Sequence, residues 1–241
     1  MRQIEPNSFI CANSEEVLRD LPTGYCGMVL TDPPYGIGAA SASFCNGTSG
    51  NKEMYFAGNW DSVCPNAEML KEIRRISKNQ IVWGGNYFAN ELPPSKCWLV
   101  WDKRTGENSY ADCELAWTNL PGVVRKYEHL WLGALAKDAD GRYHPTQKPV
   151  PLFVWCILNF TQPGDLIIDP YSGCGTTALA CHKTGRRFIC IDREPKYVEI
   201  AQQRYANLVA QQELFGAGTI ESGATSANTG SMPCQQLAVD F

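Results

Sequence analysis

The chain has 241 residues, of which 44% are apolar and 11% aromatic, and its formal net charge at pH 7 is −4. This apolar content suffices for one substantial hydrophobic core, so a second independent domain is not expected. The eleven cysteines include no Cys-x-x-Cys pair and no matching histidine spacing, which argues against structural zinc or a disulfide framework. We therefore expect reduced thiols and no metal site.

Two features of the chain bear on its location. The first residues lack the basic and then apolar pattern of a secretory signal peptide. The longest apolar stretch, residues 150–160, is about half of the ~20 residues that a helix needs to cross a bilayer. These features predict a cytoplasmic protein without a membrane anchor.

The net charge of −4 argues mildly against a protein that coats nucleic acid, because phosphate contacts usually need a basic surface. The charges are unevenly distributed along the chain. Acidic residues predominate in residues 1–70, whereas basic residues predominate in residues 71–148. A polyanion is therefore expected to meet the middle of the chain.

The first half of the chain alternates strand-like and helix-like segments. An apolar run predicts a first strand, and Ser14 is expected to cap the helix that follows it. Period and composition predict strands at residues 8–12, 26–31, 80–83, 96–101 and 113–118, and an amphipathic helix at residues 66–78. Residues 36–60 are rich in small and polar residues and show no period, which predicts a long mobile loop.

The last third has the clearest pattern. Helices are predicted at residues 152–160, 176–183 and 195–214, and strands at residues 165–169 and 187–192. Strands that alternate with helices indicate an α/β fold whose sheet is mostly parallel and covered by helices on both faces. Residues 216–241 are rich in Gly, Ser, Ala and Thr and are expected to be a disordered tail, which leaves residues 1–215 as one domain.

A glycine-bearing loop lies between a predicted strand and a predicted helix at residues 169–177, with the sequence Asp-Pro-Tyr-Ser-Gly-Cys-Gly-Thr-Thr. Open α/β sheets bind ligands at such positions. Gly173 and Gly175 allow close approach of the backbone, and the helix amino terminus offers free N–H groups to a carboxylate. Asp192 ends the next strand, where its carboxylate could accept hydrogen bonds from both ribose hydroxyls. The alternative is an ordinary tight turn, which the two flanking aspartates make less favoured.

A second motif, Asp-Pro-Pro-Tyr at residues 32–35, also follows a predicted strand. Alone it would be interpreted as a turn. It resembles the catalytic motif of the DNA amino-methyltransferases that modify adenine N6 or cytosine N4. The glycine loop is similar to their S-adenosylmethionine loop, and the segment His-Pro-Thr-Gln-Lys-Pro at residues 144–149 resembles the segment that precedes their cofactor half. The order of the three motifs is similar to that of the beta class, a circularly permuted arrangement. The resemblance extends over residues 8–210 and is greatest to short phage-type adenine methyltransferases.

The resemblance implies a Rossmann-like methyltransferase fold, S-adenosyl-L-methionine as cofactor and double-stranded DNA as substrate. The implied catalytic residues are Asp32, Pro33, Pro34 and Tyr35. The implied cofactor contacts are Asp169, Pro170, Tyr171, Gly173, Gly175, Thr176, Thr177 and Asp192. Membership of the beta class also implies a possible homodimer.

The chemistry of an exocyclic amine suits these residue types, because the ring delocalises its lone pair and makes it a poor nucleophile. The carboxylate of Asp32 and the carbonyl of Pro33 could accept both N–H bonds and direct the lone pair towards the methyl group of the cofactor. The prolines fix the backbone and remove competing donors. Tyr35 is expected to stack on a base that has swung out of the duplex.

Three assignments in the cofactor half depart from the family pattern or depend on the resemblance alone. The family usually carries Gly-Asp after its first strand, whereas this chain has Ala12-Asn13. The amide oxygen of Asn13 could still accept a hydrogen bond from the adenine amine of the cofactor. Thr146 and Lys148 are expected to face the cofactor, although the flanking prolines could instead simply shape a turn.

Residues 104–143 occupy the position at which this class inserts its target-recognition region. Candidate DNA contacts in it are Arg104, Arg125, Lys126 and Arg142, with His129 as a further candidate. Ordinary surface charges would explain these residues equally well. The small size of the region predicts a short target site.

The expected reaction is methyl transfer to the N6 amine of adenine. The first alternative is the N4 amine of cytosine, which Asp32 disfavours because cytosine-specific members more often carry Ser there. Methylation of protein glutamine, associated with Asn-Pro-Pro-Tyr, and an inactive DNA-binding relic are further alternatives. Loop 36–60 could close over the DNA or the flipped base.

Overall fold

The computed structural model describes residues 3–38, 64–105, 111–131, 143 and 146–217. Their strands are β1 (Ser8–Cys11), β2 (Cys26–Thr31), β3 (Ser77–Trp83), β4 (Trp98–Asp102), β5 (Cys113–Thr118), β6 (Arg125–Glu128), β7 (Leu166–Asp169) and β8 (Arg187–Asp192). The α-helices are α1 (Ser14–Arg19), α2 (Ala67–Ile76), α3 (Val150–Phe160), α4 (Thr176–Thr184) and α5 (Pro195–Ala217). A short 3₁₀ helix, Gly85–Phe88, follows β3.

All of these strands join one sheet in the order β1-β8-β7-β2-β3-β5-β4-β6. In the part of the chain that is described, β5 alone runs against its neighbours, and the other pairings are parallel. The central strands β2 and β7 are neighbours although they are far apart in sequence. Their carboxyl ends consequently meet at the middle of one sheet edge.

Helices cover both faces of the sheet, and the central strands are therefore buried on both sides. One face packs on α1 and α2, through residues that include Val17, Leu70 and Ile73. The other face packs on α3 and α4, through residues that include Phe153 and Leu179. This arrangement confirms the predicted α/β fold with a mostly parallel sheet between helical layers.

Three local predictions differ from the structure. The cap of α1 is Asn13, whose side chain accepts the N–H of Glu15, so Ser14 lies in the helix. The amphipathic helix ends at Ile76, because the chain enters β3 at Ser77. Strand β6 was not predicted, since its sequence Arg-Lys-Tyr-Glu lacks an apolar alternation and gains its structure by pairing with β4.

Some predictions fall beyond the described residues. Most of the predicted loop 36–60, almost all of the tail 216–241 and Arg142 lie outside them. Within the described part, no helix is long and apolar enough to cross a membrane. The same part contains no group of three or more His, Cys, Asp or Glu side chains arranged to hold a metal ion.

Candidate active site

The two motifs singled out in the sequence meet where β2 and β7 end. Thr31, the last residue of β2, donates a hydrogen bond from Oγ1 to Oδ1 of Asp169, the last residue of β7, over 2.7 Å. On either side of this pair the chain proceeds to opposite halves of the sheet, to β3 and to β8. Open α/β sheets bind ligands in the crevice at such a switch point.

Asp169 lies beneath this crevice, with only 2% of its surface exposed. Its carboxylate accepts hydrogen bonds from the hydroxyls of Thr31 and Thr177 and from the backbone N–H of Tyr171. Burial raises the pKa of Asp169 to about 7 despite these donors. All three hydrogen bonds are made within the protein, so the side chain fixes the glycine loop to β2, and its predicted contact with a cofactor stays a prediction.

The glycine loop turns sharply between β7 and α4. Gly175 precedes α4 with φ of +83°, and a Cβ at this position would lie 2.7 Å from the Cβ of Ala201. Gly173 also has positive φ, and no described heavy atom lies within 4 Å of the position that a Cβ would occupy there. Arg204 of α5 supports the loop from behind by donating to the carbonyl oxygen of Cys174.

The loop leaves donors available in the way that an anionic ligand requires. Within the described residues no side chain caps the amino terminus of α4, where Thr176 and Thr177 form the first turn. Such a terminus presents unpaired N–H groups and a partial positive charge. Tyr171 and Pro170 precede this turn, and the Pro170 carbonyl accepts the hydroxyl of Ser14 from α1.

Two residues at the neighbouring strand ends flank the loop. Asp192, at the end of β8, accepts the N–H of Gly173 at 2.9 Å and the N–H of Glu194 at 2.9 Å. Burial raises its pKa. Asn13, just beyond β1, uses its amide oxygen to cap α1, an occupation that the sequence interpretation did not foresee.

The Asp-Pro-Pro-Tyr motif lies on the other side of the crevice, directly after β2. Oδ1 of Asp32 lies 2.6 Å from the hydroxyl of Tyr35, which can donate to it. Oδ2 of Asp32 lies 2.6 Å from Nζ of Lys148. The carboxylate is therefore held at both oxygens, with 18% of the side chain still exposed.

Lys148 was predicted to face the cofactor. Its ammonium, with 5% of the side chain exposed, is shared between Asp32 and Glu114, and the contact with the cofactor stays a prediction. Its backbone carbonyl accepts the hydroxyl of Thr176, which joins the 146–149 segment to the glycine loop. Thr146, in the turn just before, is half-buried.

Glu114 joins Asp32, Tyr35 and Lys148 in one cluster, and the sequence interpretation missed it. Its Oε2 lies 3.0 Å from Nζ of Lys148 and 3.1 Å from the hydroxyl of Tyr35, and its Oε1 lies 2.7 Å from Nζ of Lys103. Because β5 is antiparallel, its first residues reach the edge at which β2 ends. A carboxylate among the apolar residues of a strand was the available signal.

Mutual pairing opposes the effect of burial on the charges of Glu114, Lys148 and Asp32. Burial acts against the charge on Glu114, but the ammonium groups of Lys148 and Lys103 outweigh it and hold its pKa at about 2. Burial also disfavours the charge on Lys148, yet Asp32 and Glu114 raise its pKa. For Asp32, burial and the charge of Glu114 together raise the pKa against the opposing effect of Lys148.

The ring of Tyr35 lies in a pocket made by the segment after β3. It stacks on Tyr87 with ring centroids 4.9 Å apart and an interplanar angle of 18°. Phe88 contacts it edge-on. Gly84 lies directly against the ring, and 47% of Tyr87 remains exposed. Tyr87 therefore presents an exposed aromatic ring next to Tyr35, whose hydroxyl contacts Asp32.

The described candidate DNA contacts lie at the far edge of the sheet, with Arg125 and Lys126 on β6 and Arg104 just beyond the end of β4. Lys126 pairs with Asp102 and Glu128, and Arg104 lies 3.8 Å from Glu128. Arg125 is exposed and has no ion-pair partner among the described residues.

Comparisons with known proteins agree with this geometry. Residues 87–203 match the family model described as DNA methylase, N6_N4_Mtase. The type II methyltransferase M2.DpnII of Streptococcus pneumoniae is 43% identical over 82 residues, which are 33% of this chain and 31% of that protein. The type II methyltransferase M.HpaI of Haemophilus parainfluenzae is 26% identical over 235 residues, which are 81% of this chain and 73% of that protein. The chain thus covers under a third of the first relative and about three quarters of the second.

A solved structure supports the same fold. The crystal structure of the M1.HpyAVI–SAM complex superposes with a TM-score of 0.53 at 20% identity, over 82% of this chain and 98% of the other. At this identity the likeness concerns the fold.

Proposed function

Because this chain belongs to the family of N6-adenine and N4-cytosine DNA methyltransferases, we propose that it transfers a methyl group from S-adenosyl-L-methionine to the N6 amine of adenine in DNA. The observation that carries the proposal is the position of Asp32. Its carboxylate lies at the end of β2, next to the end of β7 and its glycine loop, and Thr31 and Asp169 tie the two together.

The residues around the loop fit the proposed cofactor. The open amino terminus of α4 and the free space at Gly173 suit a carboxylate-bearing ligand. Each carboxylate oxygen of Asp192 accepts one hydrogen bond from the described residues and has lone pairs left over, which suits ribose hydroxyls. When bound, the cofactor supplies an electrophilic methyl group on a sulfonium. The roles of Pro170, Tyr171, Thr176, Thr177, Asn13 and Thr146 as cofactor contacts are part of this proposal.

The chain's own contribution is to position an amine and to make it nucleophilic. Asp32 and the carbonyl of Pro33 would accept the two N–H bonds of the amine, and Pro34 would keep this backbone rigid. The fixed, partly desolvated carboxylate stabilises the positive charge that grows on nitrogen. Positioning of this kind needs no covalent intermediate with the protein.

A base must leave the duplex to reach Asp32, and the aromatic pair Tyr35 and Tyr87 would receive it. Tyr87 is included because its exposed ring continues the stack that begins with Tyr35. The DNA backbone would approach the sheet edge that carries β6, where Arg125 lies. Arg104 and Lys126 are proposed as further contacts there, and Arg142, which lies outside the described residues, is proposed as another DNA contact.

The choice of adenine over cytosine is supported by residue 32. Cytosine-specific enzymes of the family that the sequence resembles more often have Ser in place of Asp32. Asp offers a charged acceptor, which forms stronger hydrogen bonds to an amine than a hydroxyl does.

The test is transfer of methyl-labelled cofactor to duplex DNA, followed by nucleoside mass spectrometry. We expect N6-methyladenine from the natural sequence. Asp32→Ala should abolish transfer while cofactor binding, measured by calorimetry, is largely retained. N4-methylcytosine without methyladenine would replace the proposed base, and full activity of Asp32→Ala would overturn the mechanism.

A further inference from the structure

Glu114 is placed by strand direction at the centre of the charged cluster beside Asp32. It is the second residue of β5, opposite Trp101 of β4, and 19% of its side chain is exposed. Its Oε2 atom contacts the same ammonium and the same phenol that hold Asp32. The two carboxylates are thus connected twice, through Lys148 and through Tyr35.

We propose that Glu114 is a positioning residue for methyl transfer: by sharing Lys148 with Asp32, it prevents that ion pair from neutralising the carboxylate that must accept the target amine. This inference rests on the proposed function. It concerns a residue that neither motif contains and that would not touch the substrate itself.

The reason lies in the charge count of the cluster. Without Glu114, the Lys148 ammonium would pair with Asp32 alone, and a carboxylate closed in a buried ion pair is a weaker acceptor for a neutral amine. With Glu114, one ammonium serves two carboxylates, and Lys103 supplies a second positive charge to the outer oxygen of Glu114. The charges of two carboxylates, Asp32 and Glu114, and two ammonium groups, Lys148 and Lys103, sum to zero. Asp32 thereby keeps part of its negative charge for the substrate.

The cluster also explains why Lys148 is needed. Two buried carboxylates that share a hydroxyl would repel each other, and one would bind a proton near neutral pH. Lys148 lies 2.6 Å from Asp32 and 3.0 Å from Glu114, and its positive charge opposes this protonation. Among the described residues, two further titratable groups face Asp32: the Tyr35 hydroxyl, which donates to it, and the Asp169 carboxyl at the end of β7, whose charge interacts with it.

A purely structural role for Glu114 makes a different prediction from this one. If Glu114 only held β5 in place, loss of its charge would reduce stability and leave the pH dependence of transfer unchanged. If it tunes Asp32, its loss must change the pH dependence of transfer, and must change the rate in opposite directions in the presence and absence of Lys148.

The experiment measures single-turnover methyl transfer to DNA against pH for four proteins: the natural sequence, Glu114→Gln, Lys148→Met and the double variant. Glu114→Gln keeps the shape of the side chain and should lower the rate about 10- to 100-fold. The acid limb of the pH–rate profile of Glu114→Gln should move to lower pH, because the negative neighbour of Asp32 has been removed while Lys148 remains. Calorimetric binding of S-adenosyl-L-methionine should be unchanged.

Lys148→Met should lower the rate further and move the acid limb to higher pH, since Asp32 then faces only the charge of Glu114. The double variant should be at least tenfold faster than Lys148→Met and should also unfold at a higher temperature. This recovery is the specific sign of charge sharing, because two independent losses would add. Glu72→Gln, which removes a carboxylate paired with Arg75 on α2, is the matched control and should leave the rate and its pH profile unaltered.

An unchanged rate and pH profile in Glu114→Gln would overturn the inference, as would a double variant no faster than Lys148→Met. Both outcomes presuppose that the natural sequence methylates DNA. Failure of the natural sequence to do so would instead count against the proposed function.

Discussion

Gly84 and Tyr35 touch so closely that no other residue type fits between them. A Cβ at position 84 would lie 2.0 Å from Cε1 of the Tyr35 ring, and Gly84 has a φ of +70°. The phenol that orients Asp32 is therefore positioned by the absence of a side chain on the neighbouring strand end.

This contact predicts that Gly84→Ala impairs catalysis by displacing Tyr35. Gly24 is a close control, because its φ is +68° and no described heavy atom lies within 4 Å of its Cβ position. Both substitutions should cost about 1 kcal/mol for the left-handed backbone. Gly84→Ala alone should also lower methyl transfer at least tenfold. Equal activity of the two variants, measured with labelled cofactor, would contradict the role given to this contact.

Tyr87 is predicted to support the flipped base by stacking. Tyr87→Ala should weaken binding to DNA that carries a mismatch at the target base by about 1–3 kcal/mol, the usual contribution of one aromatic–base stack. A mismatch is used because it lowers the cost of extrusion. Tyr87→Phe keeps the ring and should bind like the natural sequence. The measurement is a fluorescence titration, and wild-type affinity of Tyr87→Ala would exclude the stacking role.

The buried Asp169 carboxyl predicts a pH dependence of stability. Its pKa in the folded protein is about 7, against an ordinary value of 3.8, so the folded state holds the proton more tightly than the unfolded state does. This group accordingly reduces stability as pH rises from about 4 to 7, and has no further effect above that range.

Asp169→Asn removes this titration and should gain stability relative to the natural sequence as pH rises from 5 to 7.5. The measurement is the urea-unfolding free energy at both values. Asp20→Asn, at an exposed position after α1, should show a difference that does not vary in this way. A constant difference between Asp169→Asn and the natural sequence would contradict the raised pKa.

The sheet edge distinguishes two candidate DNA contacts that are adjacent in sequence. Arg125 is exposed and lacks an ion pair among the described residues, whereas Lys126 already pairs with Asp102 and Glu128. Arg125→Ala should therefore weaken DNA binding more than Lys126→Ala, and should reduce the slope of log K against log salt by about 1. Binding isotherms at several salt concentrations test this, and equal slopes would remove Arg125 from the interface.

The sequence predicted the fold well, because its evidence is local. Apolar runs next to helical periods at residues 165–214 specify alternating strands and helices whatever their partners are. Strand β6 escaped prediction because its residues are polar and its structure comes from β4, which lies elsewhere in the chain. The predicted cap of α1 was wrong because Asn and Ser are equally good capping residues. The hydroxyl of Ser14 donates to the carbonyl oxygen of Pro170, and Asn13 caps the helix instead.

The site was predicted in part for the same physical reason. Asp32 and the glycine loop stand at strand ends that the sequence reveals, and parallel strands bring such ends together. Glu114 could not be placed without knowing that β5 is antiparallel, which puts its beginning at that edge. The ion pairs of Lys148 with Asp32 and Glu114 could not be predicted either, because a motif shows which residue types recur and not which atoms they contact.

The position of β6 has a consequence for how such proteins diversify. β6 ends the sheet order, and β3, β5 and β4 separate it from β2 and β7. An outermost strand has a single neighbour, so segments that adjoin it can be lengthened or exchanged while the hydrogen bonds of the inner strands persist. Under the proposed placement of the DNA contacts at this edge, sequence preference and reaction chemistry can change independently, and a different recognition segment inserted next to β6 should redirect methyl transfer to new sites.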